Sequence, residues 1–282
     1  MKIKDIMSAP VFVVSPDENV ARARNLMLRH KIGRLVIVED NKPIGMVTKK
    51  DIVKRLNQAE PQWRRRPIDD IPVRKVMTES FITIFPDATV KQLAELMTEN
   101  NIGGLPVVNN KDEVIGIATK WDLIKYFSKL DLDMKVKDLQ IDPALTVHRH
   151  HTISHIIHEL QANSTDRAIV LEDNDMPVGI ITNSNLTFTE MRDKKGGLPQ
   201  KEIKMTRKES AAGRKQNRYI SEVPLVAEDI MSSPIINVNY EDLATYAAGL
   251  MIKERINGLS VLGNGVKGIL TGENIIKTIL TM

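Results

Sequence analysis

Two kinds of hydrophobic pattern follow one another along the first sixty residues. Short apolar runs at 12–15, 35–40 and 45–48 predict three strands, because they are apolar, partly β-branched and bounded by turn signals. Between the first two runs, apolar residues recur at helical spacing and predict one buried stripe. The stripe consists of Val20, Ala23, Leu26 and Met27. A second helix is expected from about Lys50, so the predicted order is strand–helix–strand–strand–helix.

The end of this pattern returns three times. GMVTKKD (45–51) reappears as GIATKWD (116–122), GIITNSN (179–185) and GILTGEN (268–274). Recurrence of this kind indicates four copies of a whole structural unit. The helix stripes predicted for the later copies are Val90, Leu93, Leu96 and Met97; then Ile153, Ile156, Ile157 and Leu160; then Leu243, Tyr246, Ala247, Leu250 and Met251. The copies start 71, 63 and 89 residues apart, and the long last interval places an insertion at about 190–222.

The repeated unit, which reads DIM[ST] near its start and Gly-apolar-apolar-Thr-x-x-Asp near its end, resembles the cystathionine β-synthase (CBS) domain family. The resemblance covers nearly the whole chain. It implies an α/β (α+β) fold of four β-α-β-β-α units, forming two pseudo-twofold Bateman modules. The expected units are 1–58, 72–130, 134–189 and 223–282, with a basic insertion at 190–222. The resemblance also implies adenosine ligands in clefts between paired units, and regulation in place of catalysis.

The Thr-x-x-Asp sequence has two interpretations. Thr48 and Thr119 lie where a strand meets a helix, and the free N–H groups there favour phosphate. Three residues later, Asp51 and Asp122 can each accept two hydrogen bonds from a ribose diol. The same spacing is also typical of a capping box, which needs no ligand. Both interpretations remain open from the sequence.

The third and fourth copies depart from this pattern. They keep Thr182 and Thr271 but have Asn185 and Asn274 in place of the carboxylate. An amide tolerates the capping role, but it lacks the charge that strengthens hydrogen bonds to a diol. The second module therefore departs from the pattern that nucleoside binding favours.

The resemblance assigns further positions to the clefts. Arg34 and Arg167 occupy a place where related domains often carry a basic residue facing ligand phosphates, although an exposed arginine is an equal alternative. Units two and four have Gly104 and Gly258 there. Adenine is expected against the backbone of each unit's first strand, with Asp122 facing the Val11 region and Asp51 the Phe81 region. The positions are Ala9, Val11, Phe81, Ala144 and Ile235. The expected ligand is AMP, ADP or ATP, and S-adenosylmethionine is expected less.

The insertion holds most of the basic character of the chain. Residues 190–220 contain ten Lys/Arg and four Asp/Glu, a net charge of +6, whereas the whole chain has +4. Three interpretations stay open: a solvated linker, an arm that docks on RNA, a ribosome or another polyanion, and an arm that supplies cations to the second module. The predicted docking residues are Lys204, Arg207, Lys208, Arg214 and Lys215. WRRRP (63–67) is a smaller basic patch with the same ambiguity.

A histidine cluster raises the question of a metal. His151, His155 and His158 share one face of the third unit's helix, at a spacing that can bind zinc, with His148 and His150 just before it. The apolar stripe of that helix places them on the solvent side, and no Cys, Asp or HExxH arrangement completes a site. The expectation is a solvated face and no metal.

Composition narrows the function classes further. There are no cysteines, which excludes a thiol nucleophile and fits a reducing, cytoplasmic compartment. The start, MKIKDIMSAP, has no signal-peptide core, and no apolar run is long enough for a membrane span. No catalytic motif appears, so the chain is not expected to be an enzyme. Three alternatives for the function remain: a nucleotide sensor, a nucleic-acid or ribosome-binding factor whose binding a nucleotide can control, and a structural assembly subunit. The oligomeric state, including a homodimer, is left open.

Overall fold

The computed structural model describes residues 1–56, 70–182, 185–186, 200–206 and 218–282. By density of contacts the chain divides into two compact units. The first consists of Met1–Met134 with Ala244–Arg255 and Gly272–Met282, and the second of Lys135–Leu243 with Ile256–Thr271.

The first repeat has the predicted element order. β1 (Val13–Val14) runs parallel to β2 (Arg34–Glu39), and β2 pairs antiparallel with β3 (Lys42–Thr48), whose last residue is followed directly by α2 (Lys49–Leu56). Helix α1 (Val20–Arg29) begins after Asn19, whose side chain accepts the backbone N–H of Arg22 at 2.8 Å, a standard N-cap. The predicted fold class is confirmed.

The later repeats follow the same plan. In the second repeat the first strand is reduced to a parallel bridge of Ile84 with Val107. The bounds are α3 Val90–Glu99, β4 Gly104–Val108, β5 Val114–Thr119, α4 Lys120–Phe127, β6 Thr146–His148, α5 Ile153–Ala162, β7 Arg167–Leu171, β8 Pro177–Thr182, α6 Ala227–Ile230, β11 Asn237–Asn239, α7 Ala244–Glu254, β12 Gly258–Gly263, β13 Gly265–Thr271 and α8 Gly272–Thr281.

The predicted helix stripes are mostly buried. In α1, α3 and α5 the buried residues include Val20, Leu93 and Ile156, and each lies on the predicted stripe. The prediction for the last repeat is wrong at two positions, because Leu243 and Tyr246 are 43% and 57% exposed. There α7 presents small side chains to the core instead. They are Ala244, Ala247 and Ala248, together with Met251.

The repeats of each pair exchange their N-terminal segments. In the first unit, Ser8 bridges Ile117 of β5, and Thr78 bridges Met46 of β3 in return. In the second unit, Ser232 bridges Ile180 of β8, and Asp142 bridges Ile269 of β13. These bridges join the first repeat to the second and the third to the fourth.

The exchange explains the glycine that opens each copy of the motif. A Cβ at Gly116 would lie 2.8 Å from Sδ of Met7 and 3.2 Å from the carbonyl oxygen of Ser8. A Cβ at Gly45 would lie 2.9 Å from Sδ of Met77. Only glycine lets the neighbouring repeat's segment approach so closely.

The insertion contains a β-hairpin. β9 (Gln200–Thr206) pairs antiparallel with β10 (Arg218–Pro224), and in the described part of the chain this pair is a sheet of its own. Lys204 lies in β9, opposite Ile220. Four predicted docking residues, Arg207, Lys208, Arg214 and Lys215, lie outside the described residues, as does the WRRRP patch. None of the described helices has the length and apolar character needed to cross a bilayer.

Candidate functional site

The first Thr-x-x-Asp forms a capping box at the start of α2. The backbone N–H and the hydroxyl of Thr48 both donate to Oδ2 of Asp51, at 2.8 and 2.6 Å. The N–H of Asp51 returns a longer bond of 3.3 Å to the Thr48 hydroxyl. Among the described residues, no hydrogen bond reaches the second oxygen of Asp51, Oδ1.

The second copy repeats this arrangement and adds a contact from the first repeat. Thr119 donates to Oδ2 of Asp122 from its N–H at 2.7 Å and from its hydroxyl at 2.6 Å. Oδ1 of Asp122 accepts the Ser8 hydroxyl at 3.1 Å. Asp122 is only 7% exposed, and this burial raises its pKa, against the opposing effect of the Thr119 and Ser8 hydrogen bonds.

The cap and the ligand interpretations therefore concern different atoms. Oδ2 of each carboxylate accepts the hydrogen bonds of the cap, and Oδ1 accepts none of them. A carboxylate offers about four acceptor directions, so capping leaves capacity for further hydroxyl donors. The capping box does not compete with a diol for the carboxylate.

Arg34 lies between the two motifs. β2 pairs Arg34 with Thr48, and the guanidinium extends to Gly103 and Gly104, the residue that β4 pairs with Thr119. A Cβ at Gly104 would lie 2.7 Å from Nη1 of Arg34. The guanidinium of Arg34 therefore lies against glycine at the matching position of the partner repeat, and a larger residue there would displace this flexible end of the arginine.

The charge of Arg34 is poorly compensated. Burial lowers the pKa of this guanidinium, and the charge of Asp51 raises it by less. Within the described residues, Arg34 forms neither a salt bridge nor a hydrogen bond. A half-buried cation without a partner is costly, and an anion placed beside it would relieve that cost.

Arg167 has the same place in the second unit but a different environment. Its Nε and Nη2 bind the carboxylate of Asp166 at 2.7 and 3.0 Å, and Nη1 donates to the carbonyl of Asn257 at 3.1 Å. A Cβ at Gly258 would lie 2.7 Å from Nη1, so the arginine–glycine pairing is repeated. The Arg167 charge is thus matched by Asp166, whereas the corresponding residue before Arg34 is Gly33.

The asparagine of the third repeat is occupied at both ends. Oδ1 of Asn185 accepts the N–H and hydroxyl of Thr182 at 2.9 and 2.7 Å, which reproduces the cap. Its Nδ2 donates to the carbonyl of Ile230 at 2.9 Å and contacts the Ser232 hydroxyl at 3.2 Å. In the fourth repeat, Thr271 ends β13 and Asn274 lies in the first turn of α8, and both are buried.

The residues predicted to face adenine lie in irregular segments of the chain, outside the strands and helices. Val11 and Phe81 pack on one apolar cluster with Val36, Met46 and Ile117, so both reach the region between the first two repeats. Ala9 is exposed, and Ala144 and Ile235 are half-buried ahead of β6 and β11. Their roles toward a ligand remain predictions.

Sequence reasoning missed two contributors to the first site. Ser8 and Gly103 contact Asp122 and Arg34 across more than sixty residues of sequence. A signal for Ser8 was present, because DIMS at 5–8 recurs at 229–232, where the Ser232 hydroxyl accepts a hydrogen bond from Nδ2 of Asn185.

Comparison with known proteins agrees with this architecture. The profile of the CBS domain matches residues 3–58, 73–129, 136–189 and 226–281, so the chain belongs to the CBS-domain family. It is similar to protein MJ1404 of Methanocaldococcus jannaschii, with 32% identity over 70% of this chain and 46% of that protein, less than half of its length. Protein MJ1225 of the same organism is 24% identical over 98% of this chain and 97% of that protein.

Solved structures show the same fold over the full length. The crystal structure of MJ1225 superposes with a TM-score of 0.71 at 21% identity, covering 99% of both chains. A conserved protein of Pyrococcus horikoshii superposes with a TM-score of 0.64 at 17% identity, covering 99% of this chain and all of that one. At these identities the likeness concerns the fold alone.

Proposed function

We propose that the protein is a regulatory sensor that binds adenosine nucleotides between its first two repeats. The observation that carries the proposal is Arg34, a half-buried guanidinium without a described partner, set between two Thr-x-x-Asp motifs. The ligand class follows from the two chemistries that this arrangement combines, a cation for phosphate and carboxylates for a ribose.

The ribose contacts fall to the aspartates. Oδ1 of Asp51 and Oδ1 of Asp122 accept the 2′- and 3′-hydroxyls, while Oδ2 continues to hold the cap. The N–H groups and hydroxyls of Thr48 and Thr119 stay with the caps, so the helix N-termini of α2 and α4 favour an anion through their dipoles. Arg34 binds the phosphate from either side, because its guanidinium extends from the first repeat to the second.

The second module is proposed to differ in affinity. Asn185 uses its amide on Ile230 and Ser232, and Arg167 is matched by Asp166, so neither side chain calls for an anionic nucleoside ligand. The second module therefore binds adenosine nucleotides weakly compared with the first.

Regulation, without catalysis, is the role proposed. A ligand that binds Asp122 acts on a carboxylate that also accepts the hydroxyl of Ser8, in the exchanged N-terminal segment, so binding couples the two repeats of the module. The ligand state is then passed to a partner that prefers one arrangement of the pair. AMP, ADP and ATP all carry the ribose and the phosphate, whereas S-adenosylmethionine carries the ribose without a phosphate.

Calorimetry with AMP, ADP, ATP and S-adenosylmethionine tests the proposal. We expect at least one phosphate-bearing ligand to bind the full chain, and S-adenosylmethionine to bind more weakly. Asp51→Asn and Asp122→Asn should each weaken binding by roughly 10- to 150-fold, the scale of lost charged hydrogen bonds. Unchanged affinities in both variants would reject the site.

A second function is proposed for the insertion, as an arm that docks on RNA or on a ribosome. Two observations favour it: the net charge of +6 in residues 190–220, and a hairpin that forms a sheet separate from those of the repeats in the described chain. A gel-shift titration of the full chain and of a chain lacking 190–220 tests it. Equal RNA affinity of the two at low salt would reject the docking role.

A further inference from the structure

Two turns of the third repeat bring three metal-binding side chains together. His148 ends β6, His150 follows in the next turn, and Asp173 lies in the turn between β7 and β8. One ligand atom from each of the three lies within 4.8 Å of the others. Nε2 of His148 lies 2.8 Å from Oδ1 of Asp173.

These distances suit a divalent transition metal after small side-chain movements. Ligand atoms bound to zinc at about 2.0–2.1 Å with tetrahedral angles lie roughly 3.3 Å apart. Metal binding would lengthen the 2.8 Å distance between His148 and Asp173 slightly, and would bring ligand atoms that lie up to 4.8 Å apart closer together. His150 and Asp173 are exposed and His148 is half-buried, so the side chains have room to turn and an ion has access.

The histidines predicted to share a helix face are not among these three ligands, and His151 lies before α5. Nδ1 of His151 accepts the backbone N–H of His148 at 3.2 Å, and its ring packs edge-on against His155 with centroids 4.3 Å apart. His151 thereby fixes the turn that carries His148 and His150. His158 is 76% exposed and lies on α5, outside the group of three.

The surrounding charges favour a cation. Arg149 lies between the two histidines in sequence, but its guanidinium is held by the carboxylates of Glu172 and Glu228. With Asp173, three carboxylates stand against one guanidinium. The local field is therefore negative, although an arginine is near.

We propose that His148, His150 and Asp173 form a site for Zn²⁺ or a similar divalent transition metal, with water completing the coordination. Two imidazoles and one carboxylate are ligands that zinc accepts, and three protein ligands leave a position open. The metal joins the β6–α5 turn to the β7–β8 turn. The site is independent of the nucleotide site proposed above.

Metal titration of the full chain tests the site. With Co²⁺ as a spectroscopic probe, we expect visible d–d bands that saturate at one equivalent and are displaced by Zn²⁺. His150→Asn and Asp173→Asn should each weaken Zn²⁺ affinity by tenfold or more, while the matched control His158→Asn leaves it unchanged. Zn²⁺ should also raise the melting temperature of the wild-type chain and of the control, but not of the two site variants.

Two results would overturn the proposal. One is a wild-type chain that shows no saturable Co²⁺ spectrum. The other is a loss of Zn²⁺ affinity in His158→Asn equal to that in His150→Asn, which would indicate general binding by surface histidines. Equal melting temperatures of all chains without metal show that the substitutions leave the fold intact.

Discussion

Replacing Arg34 by methionine separates a ligand-binding cation from a structural one. Methionine keeps most of the unbranched stem that covers Gly103 and Gly104 but removes the charge. If Arg34 binds the phosphate, its loss removes charged hydrogen bonds worth about 1.5–3 kcal/mol, or roughly 10- to 150-fold in affinity. The free protein should become more stable by roughly 0–1 kcal/mol, because a half-buried cation that forms no salt bridge with the described residues is gone.

Arg167→Met is the matched control, and its expected effects have the opposite pattern. Arg167 binds Asp166 at 2.7 and 3.0 Å and the carbonyl of Asn257 at 3.1 Å. Its loss should reduce the free energy of unfolding by about 0.5–1.5 kcal/mol. This is the scale of one hydrogen bond together with an ion pair to an exposed carboxylate such as that of Asp166. Nucleotide affinity should stay unchanged.

Isothermal calorimetry and urea denaturation measure both quantities on the same preparations. The reasoning is refuted if Arg34→Met binds every nucleotide as tightly as the wild type. It is also refuted if Arg34→Met destabilises the free chain as Arg167→Met does, because Arg34 would then be a structural residue.

Three further predictions concern packing, pH and salt. Gly116→Ala should lower the free energy of unfolding by about 1–3 kcal/mol, because the new Cβ would meet Met7 and Ser8. In the same urea assay Gly249→Ala should raise it by up to about 1 kcal/mol, because Gly249 lies in a helix and its new Cβ would have nothing within 4 Å. Because burial raises the pKa of Asp122, the folded state holds that proton more tightly than the unfolded state, so stability should fall as pH rises from the ordinary aspartate pKa through the folded one. Nucleotide affinity should rise over the same interval as the carboxylate ionises; an identical stability profile for Asp122→Asn in urea titrations would contradict this assignment. Charge reversal in the insertion should flatten the slope of log K for RNA against log salt concentration by about 0.7–0.9 for each phosphate that is no longer neutralised. An unchanged slope in filter-binding assays would reject the docking arm. The residues to reverse are Lys204, Arg207, Lys208, Arg214 and Lys215.

The repeat architecture could be predicted from the sequence because it rests on local patterns. The strand run at 35–40 and the helix stripe from Val20 are read within one repeat, and β2 and α1 lie there. The prediction of the buried stripe of α7 was wrong at Tyr246. Small alanines, which carry a weak hydrophobic signal, face the core in its place.

The site itself was only partly predictable. Thr48, Asp51, Thr119 and Asp122 stand out because each pair lies within four residues. The contact of Arg34 with Gly104, or of His148 with Asp173, joins separate elements, and only the fold brings them together. Which carboxylate oxygen holds the cap is likewise a matter of geometry that a spacing of three residues leaves undetermined.

Nucleotide calorimetry on the double variant Asp51→Asn/Asp122→Asn tests the central claim most directly. Asn185 shows that asparagine keeps the Thr-x-x-Asp cap, with bonds of 2.9 and 2.7 Å, so the double variant should fold and melt like the wild type. The account predicts that the wild type binds an adenosine nucleotide and that this binding is lost in the double variant at an unchanged melting temperature. A double variant that binds the nucleotide as the wild type does, or that only melts lower, would contradict it and leave the carboxylates as caps alone.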